Sequence, residues 1–178
     1  DHPFRDHALR SLDEVRAQGR YREFVALQKQ ADAYPWYHAA DGRRILVWSS
    51  NDYLAMGGHP TVVQAACAAA QEMGVGAGGT RNIGGTSPAH AALEAELAAL
   101  HAKQAALLFT SGFVSNQAAI STLLNSRPAG SDRPWQVFSD AKNHASMIAG
   151  IKGAQADCHI FRHNDMAHLE ALLRAAPG

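Results

Sequence analysis

Between residues 105 and 173, short apolar runs alternate with stretches of helical period. AALLF (105–109) is followed by Thr110-Ser111-Gly112-Phe113 and a helical pattern to about residue 124. After the loop SRPAGSDRP (126–134) come QVF (136–138), a helical stretch 145–152, HIF (159–161), and a last segment carrying Leu169, Leu172 and Leu173, for which Asn164 is a candidate cap. Read in order, this is β-α-β-α-β-α. Parallel neighbours require crossover connections, so the alternation predicts an α/β domain with a mostly parallel sheet and helices on its faces. Ligands of such sheets bind beyond the carboxyl ends of the strands. Two predicted ends carry chemistry: Thr110-Ser111-Gly112-Phe113, and Ser139 through His144.

Upstream the pattern is different. Leu9, Leu12 and Val15 form one stripe among charges, predicting an amphipathic helix over 4–17 that Gly19 ends, and the segment 21–33 is expected to continue helically. Asp41-Gly42 is a turn signal, ILVW (45–48) a short buried strand and 49–52 a polar loop. Pro60 suits the first position of a helix to about residue 73, and Ser87-Pro88 the start of another to about residue 103.

Composition excludes several classes. With 178 residues, 47% of them hydrophobic, the chain can bury a core, and 16 basic against 16 acidic residues leave no net field to attract nucleic acid or an anionic membrane. Cys67 and Cys158 fit no paired metal spacing and are expected to be buried, reduced thiols. No apolar run approaches membrane-spanning length, and the charged N-terminus is unlike a targeting peptide, so a cytosolic or processed chain is expected. The ten histidines form neither H-E-x-x-H nor H-x-H, so no metal site is expected.

The stretch GVGAGGTRNIGGT (74–86) begins with G-x-G-x-x-G, but a helix precedes it and more loop follows, which is the wrong frame for a dinucleotide fingerprint; a P-loop would need a lysine it lacks. The glycines alone need only permit an irregular connection with positive φ. Thr80, Arg81 and Asn82 in their midst are three hydrogen-bonding side chains suited to a small anion. Thr110-Ser111-Gly112, at a strand end and a helix start, is a candidate phosphate cradle, with Ser111 otherwise a plain N-cap. His144 could serve as a general base, a stacking ring or an ordinary helix-start residue. G-x-S-x-G is absent, which removes serine-hydrolase chemistry.

Five segments, in order and spacing, resemble one family: NDYL (51–54), GAGGTRNI (76–83) with Gly85-Thr86, LEAEL (93–97), ALLFTSGF (106–113) and NHASMI (143–148). The chain from about residue 19 is similar to the α-oxoamine synthases, fold-type I enzymes that use pyridoxal 5'-phosphate (PLP) to join an amino acid to an acyl-CoA. The resemblance implies an N-terminal helical arm and a small segment over 1–50. It implies that 51–178 is the first, incomplete portion of a mostly parallel-sheet, PLP-binding large domain. Thr80 and Asn82, GRYR (19–22) and HIFRHND (159–165) are similar to the branch that condenses glycine with succinyl-CoA.

Position by position, the resemblance implies that His144 is the catalytic-site residue stacking on the cofactor ring. Ser111, Gly112 and Phe113 border the cofactor, and Tyr53 reaches its phosphate across a homodimer interface. Arg22, Asn51, Thr80, Asn82 and Ile83 hold the succinyl end of the thioester, and Ser139 also contacts acyl-CoA. An arginine with hydroxyl and amide donors suits a terminal carboxylate, and an electron-sink cofactor needs stacking and phosphate anchoring. Cys158 stands where the family usually has a lysine that meets CoA phosphates. The Schiff-base lysine falls beyond residue 178, and Lys29, Lys103, Lys142 and Lys152 sit in none of its contexts. The expected setting is cytoplasmic, or the mitochondrial matrix in a eukaryote. A sister synthase using another acyl-CoA, and a non-catalytic remnant paired with a full-length subunit, remain open at this point.

Overall fold

The computed structural model describes residues 3–127 and 130–176, and its contacts divide the chain into two compact units, 1–76 and 77–178. In the first unit, helix α1 (Pro3–Ala17) runs as the Leu9/Leu12/Val15 stripe predicts and stops before Gly19, which takes φ +64°. The segment expected to continue as helix does not. It contains strand β1 (Leu27–Lys29), which pairs antiparallel with β2 (Trp36–Ala39), itself paired antiparallel with β3 (Arg44–Leu46). Phe24 and Val25 are exposed, so a helix here would have buried no apolar face, whereas the β2 edge gives residues 27–29 a ladder. The Asp41-Gly42 turn forms as read, closing β2 onto β3, but the strand expected over 45–48 ends earlier and leaves Trp48 exposed. A short 3-10 turn (Met56–Gly58) leads into α2 (Pro60–Met73), whose ends coincide with those predicted.

The second unit contains α3 (Pro88–Leu100), α4 (Gly112–Asn125), β4 (Gln136–Asp140), α5 (Ala145–Lys152), β5 (Asp157–Phe161) and α6 (Met166–Ala175). β4 and β5 are parallel, in register from Gln136 with Asp157 to Asp140 with Phe161, and α5 is the crossover between them. Helices α4 and α5 pack together, and Ile151 and Phe161 are buried. The strand expected over 105–109 is not formed. Among the described residues nothing lies alongside to complete its ladder, and the backbone groups of Leu108 are taken by side chains instead. The loop 126–134 holds two residues, 128 and 129, outside those described.

Two further expectations are corrected. Asp165, not Asn164, caps α6: its carboxylate accepts the His168 N–H at 2.8 Å. Asn164 instead turns the chain at φ +55° and donates its N–H to Asp140 at 3.0 Å. Cys67 and Cys158 are free, as expected, but exposed rather than buried.

Candidate functional site

The chemistry-bearing ends gather in the second unit at the starts of α4 and α5. Ser111 caps α4, its hydroxyl accepting the Val114 N–H at 3.2 Å. The N–H groups of Gly112 and Phe113 point out of the first turn with no acceptor among the described residues, and a Cβ added to Gly112 would meet nothing within 4 Å. An open first turn of a 14-residue helix is an anion-compatible terminus. Phe113 reaches the His144 ring edge-on, centroids 6.3 Å apart at 70°. His144 is the N-cap of α5: its Nδ1 accepts the Ser146 N–H at 3.2 Å. Ser139, the penultimate residue of β4, is buried, and its hydroxyl accepts from Asn143 Nδ2 at 3.0 Å.

The strand end beside it is tied by Asp140. Its carboxylate accepts the N–H of Asn164 at 3.0 Å and of Lys142 at 2.7 Å, and meets His163 Nδ1 at 2.9 Å. Those contacts, the two backbone donors foremost, hold its carboxyl down at about 2.

In the glycine stretch, Gly76 and Gly78 take φ +88° and +69°, as a link between two helices requires. Thr80, Asn82 and Ile83 are exposed in the second unit. Arg81 is different, and here the anion reading is corrected. Its guanidinium pairs two-pronged with Glu94 on α3, with Nη2 to Oε2 at 3.1 Å, and also donates to the Leu108 carbonyl at 3.4 Å. Glu94 accepts the Leu108 N–H at 2.8 Å. The arginine is committed to a structural lock joining the loop, α3 and the segment 105–109, while the neighbouring Thr80 and Asn82 side chains stay exposed. Arg22, Asn51 and Tyr53 lie exposed in the first unit. There Asp52 is clamped: its carboxylate meets Lys29 Nζ at 2.8 Å and its carbonyl accepts the Tyr34 hydroxyl at 2.7 Å. No group of three metal-ligating residues occurs among those described.

Arg81 first, then the Leu108 N–H, hold the Glu94 carboxyl at about 2, against an ordinary 4.5. A depressed carboxyl contributes stability that is complete above its unfolded value and vanishes as pH falls through the folded one. The stability gap between the native protein and Glu94→Gln is therefore expected to be constant above about pH 4.5 and to close between there and about pH 2. Urea midpoints across that range measure it; a gap that widens on acidification would contradict the lock.

Sequence reading missed Asn116 and Ser146, which stand behind His144: Asn116 Nδ2 donates to Ser146 Oγ at 3.0 Å. The only local signal was a serine two residues after a helix-starting histidine.

Comparison with known proteins places this geometry. The chain is 50% identical to a 5-aminolevulinate synthase of Rickettsia bellii over 97% of its length, covering 39% of that protein. It is 51% identical to one of Rhizobium meliloti over 93%, covering 40%. It thus spans about two fifths of the length of these curated relatives. A serine palmitoyltransferase from S. paucimobilis, solved with a PLP–myriocin aldimine bound, superposes with a TM-score of 0.79 at 25% identity, over 97% of this chain and 42% of that one. The helices and parallel strand pair are therefore the opening portion of a fold-type I architecture. The profile of the aminotransferase class I and II family matches residues 43–178, from β3 through the α4 and α5 starts to the end of the chain, and the chain belongs to that family.

Proposed function

We propose that the whole protein catalyses the PLP-dependent decarboxylative condensation of glycine with succinyl-CoA, giving 5-aminolevulinate, CoA and carbon dioxide for tetrapyrrole or other five-carbon-unit synthesis. The observation that carries this reading is the identity of about half over nearly all of the chain to 5-aminolevulinate synthases of two bacteria.

The residues present fit the cofactor. The open N–H groups of Gly112 and Phe113, with the Ser111 cap, match a phosphate, and the exposed His144 ring beside Phe113 offers a stacking surface. Bound PLP supplies an electron sink for the carbanion left when a bond to the glycine α-carbon breaks. The chain's own residues bind and orient. Ser111, Gly112 and Phe113 seat the phosphate with Tyr53, contributed across a homodimer interface. Arg22, Asn51, Thr80, Asn82 and Ile83 receive the succinyl end, and Ser139 meets acyl-CoA. In this reading 1–50 is an arm with a small segment and 51–178 the leading part of the cofactor-binding large domain. The protein works in the bacterial cytoplasm, or the mitochondrial matrix in a eukaryote. No helix among the described residues is long and apolar enough to cross a membrane.

The test supplies the full-length protein with glycine and succinyl-CoA and measures release of the CoA thiol. Release that requires both substrates and PLP is expected; preference for an uncharged acyl-CoA would replace this reading with that of a sister synthase. Because the exposed Thr80 hydroxyl has no partner among the described residues, Thr80→Leu is expected to lower the preference for succinyl-CoA over hexanoyl-CoA about tenfold, the worth of a hydrogen bond to a charged group. An unchanged ratio would remove Thr80 from the acyl pocket.

A further inference from the structure

The hydrogen bonds behind His144 run in one direction only. The Ser146 backbone N–H, 3.2 Å from His144 Nδ1, can donate and cannot accept, so this long bond favours a bare Nδ1 and leaves the shorter side-chain contact to complete the preference. Ser146 Oγ lies 2.6 Å from the same nitrogen and turns its own hydrogen toward it. That leaves the lone pairs of Oγ to receive Asn116 Nδ2 at 3.0 Å, which fixes the amide orientation of Asn116 as well. Ser146 is completely buried, so water cannot substitute for either partner. Asn116 on α4 donates to Ser146, Ser146 donates to His144, and the ring hydrogen is confined to Nε2.

We propose that Asn116 and Ser146 are positioning residues that hold His144 as the Nε2–H tautomer. The ring then meets a bound ligand as a stacking surface and hydrogen-bond donor, not as a proton acceptor. This decides among the roles a histidine could take here: with Nδ1 engaged twice and Nε2 protonated, no ring lone pair is left to act as a general base. The tautomer follows from this chain alone. Its consequence for a cofactor ring rests on the function proposed above, so the two can fail separately.

The experiment is nitrogen NMR of full-length protein labelled with 15N-histidine, near pH 8, where an ordinary imidazole is uncharged. His144 is assigned by the resonances lost in His144→Asn. A pyrrole-type Nε2 and a pyridine-type Nδ1 are expected; a pyrrole-type Nδ1 would overturn the proposal. Asn116→Asp is nearly isosteric but only accepts, so it draws the Ser146 hydroxyl hydrogen away from Nδ1 and leaves the longer backbone bond as the one contact favouring Nε2–H; an Nδ1–H fraction is expected to appear beside it. Ser146→Ala removes the middle link and is expected to give a mixture of tautomers. An unchanged tautomer in variants with native circular dichroism would overturn the relay. Should one variant not fold, the other and the native protein still decide.

With cofactor present, Asn116→Asp is expected to weaken PLP binding about threefold to tenfold. Full affinity in a variant whose tautomer has shifted would overturn the coupling to the ligand. A native protein that binds no PLP would overturn the functional reading, while its His144 tautomer still tests the relay.

Discussion

Gly85→Ala is expected to destabilise the second unit by about 3 kcal/mol or more, at the upper end of what overpacking costs. A Cβ at residue 85 would lie 2.0 Å from the Gly79 carbonyl oxygen, 2.7 Å from its carbon and 2.9 Å from the Thr80 carbonyl carbon. All three are backbone atoms, so no rotamer change makes room and the loop itself must open. Opening it breaks a compact turn in which Ile83, Gly84 and Gly85 all donate to the Thr80 carbonyl, at 3.1, 3.1 and 2.8 Å. Gly84→Ala is the control: a Cβ there meets nothing within 4 Å and φ is ordinary, so a change within about 0.5 kcal/mol is expected. Urea midpoints at constant m-value measure both. Equal stabilities of the two variants would show that the loop is not closed as described. The same opening displaces Thr80 and Asn82, so Gly85→Ala is also expected to degrade acyl selectivity ahead of cofactor binding.

What was legible in the sequence was what local chemistry decides. α2 and α5 run from Pro60 to Met73 and from Ala145 to Lys152 as read, because Pro60 at the first position of α2, and a glycine after each end, Gly74 and Gly153, mark such boundaries within a few residues. The parallel pairing of β4 and β5 followed from the crossover between them. Misreadings occurred where a distant partner decides. The apolar run 105–109 looks like a strand by itself, but a strand exists only beside another, and here Arg81 and Glu94 take the Leu108 backbone groups. Residues 27–29 pair with 37–39 across a turn that their own helical pattern does not report. In the site, Ser111 and His144 were readable as helix-start residues, and they do start α4 and α5. Arg81 was read as an anion ligand because Glu94, thirteen residues on, was not recognised as its partner. Asn116 and Ser146, thirty residues apart, meet only through the packing of α4 on α5.

That packing sets the second large effect. Gly150 is buried where α5 crosses α4, and a Cβ there would lie 2.9 Å from Ile120 Cβ, 3.1 Å from the Gln117 carbonyl oxygen and 3.2 Å from that of Asn116. Two terms oppose each other in Gly150→Ala. Alanine is the better helix former by about 1 kcal/mol, while the helices must separate by a few tenths of an ångström to admit the methyl group, at a cost of about 1–2 kcal/mol. The net loss is expected to stay below about 1 kcal/mol. Gly150→Leu has no such compensation: its branched side chain cannot enter the crossing, and a loss of about 3 kcal/mol or more is expected. The two variants also separate packing from chemistry. The Asn116 backbone is one of the surfaces the new group presses on, and its side chain is the first donor in the relay to His144. Gly150→Ala should therefore keep most of its stability yet lengthen the Asn116 to Ser146 contact, and its His144 tautomer should move toward that of Ser146→Ala. A native tautomer in Gly150→Ala would mean that the relay tolerates the shift, and a loss in Gly150→Leu no larger than in Gly150→Ala would mean that the helices do not cross this closely.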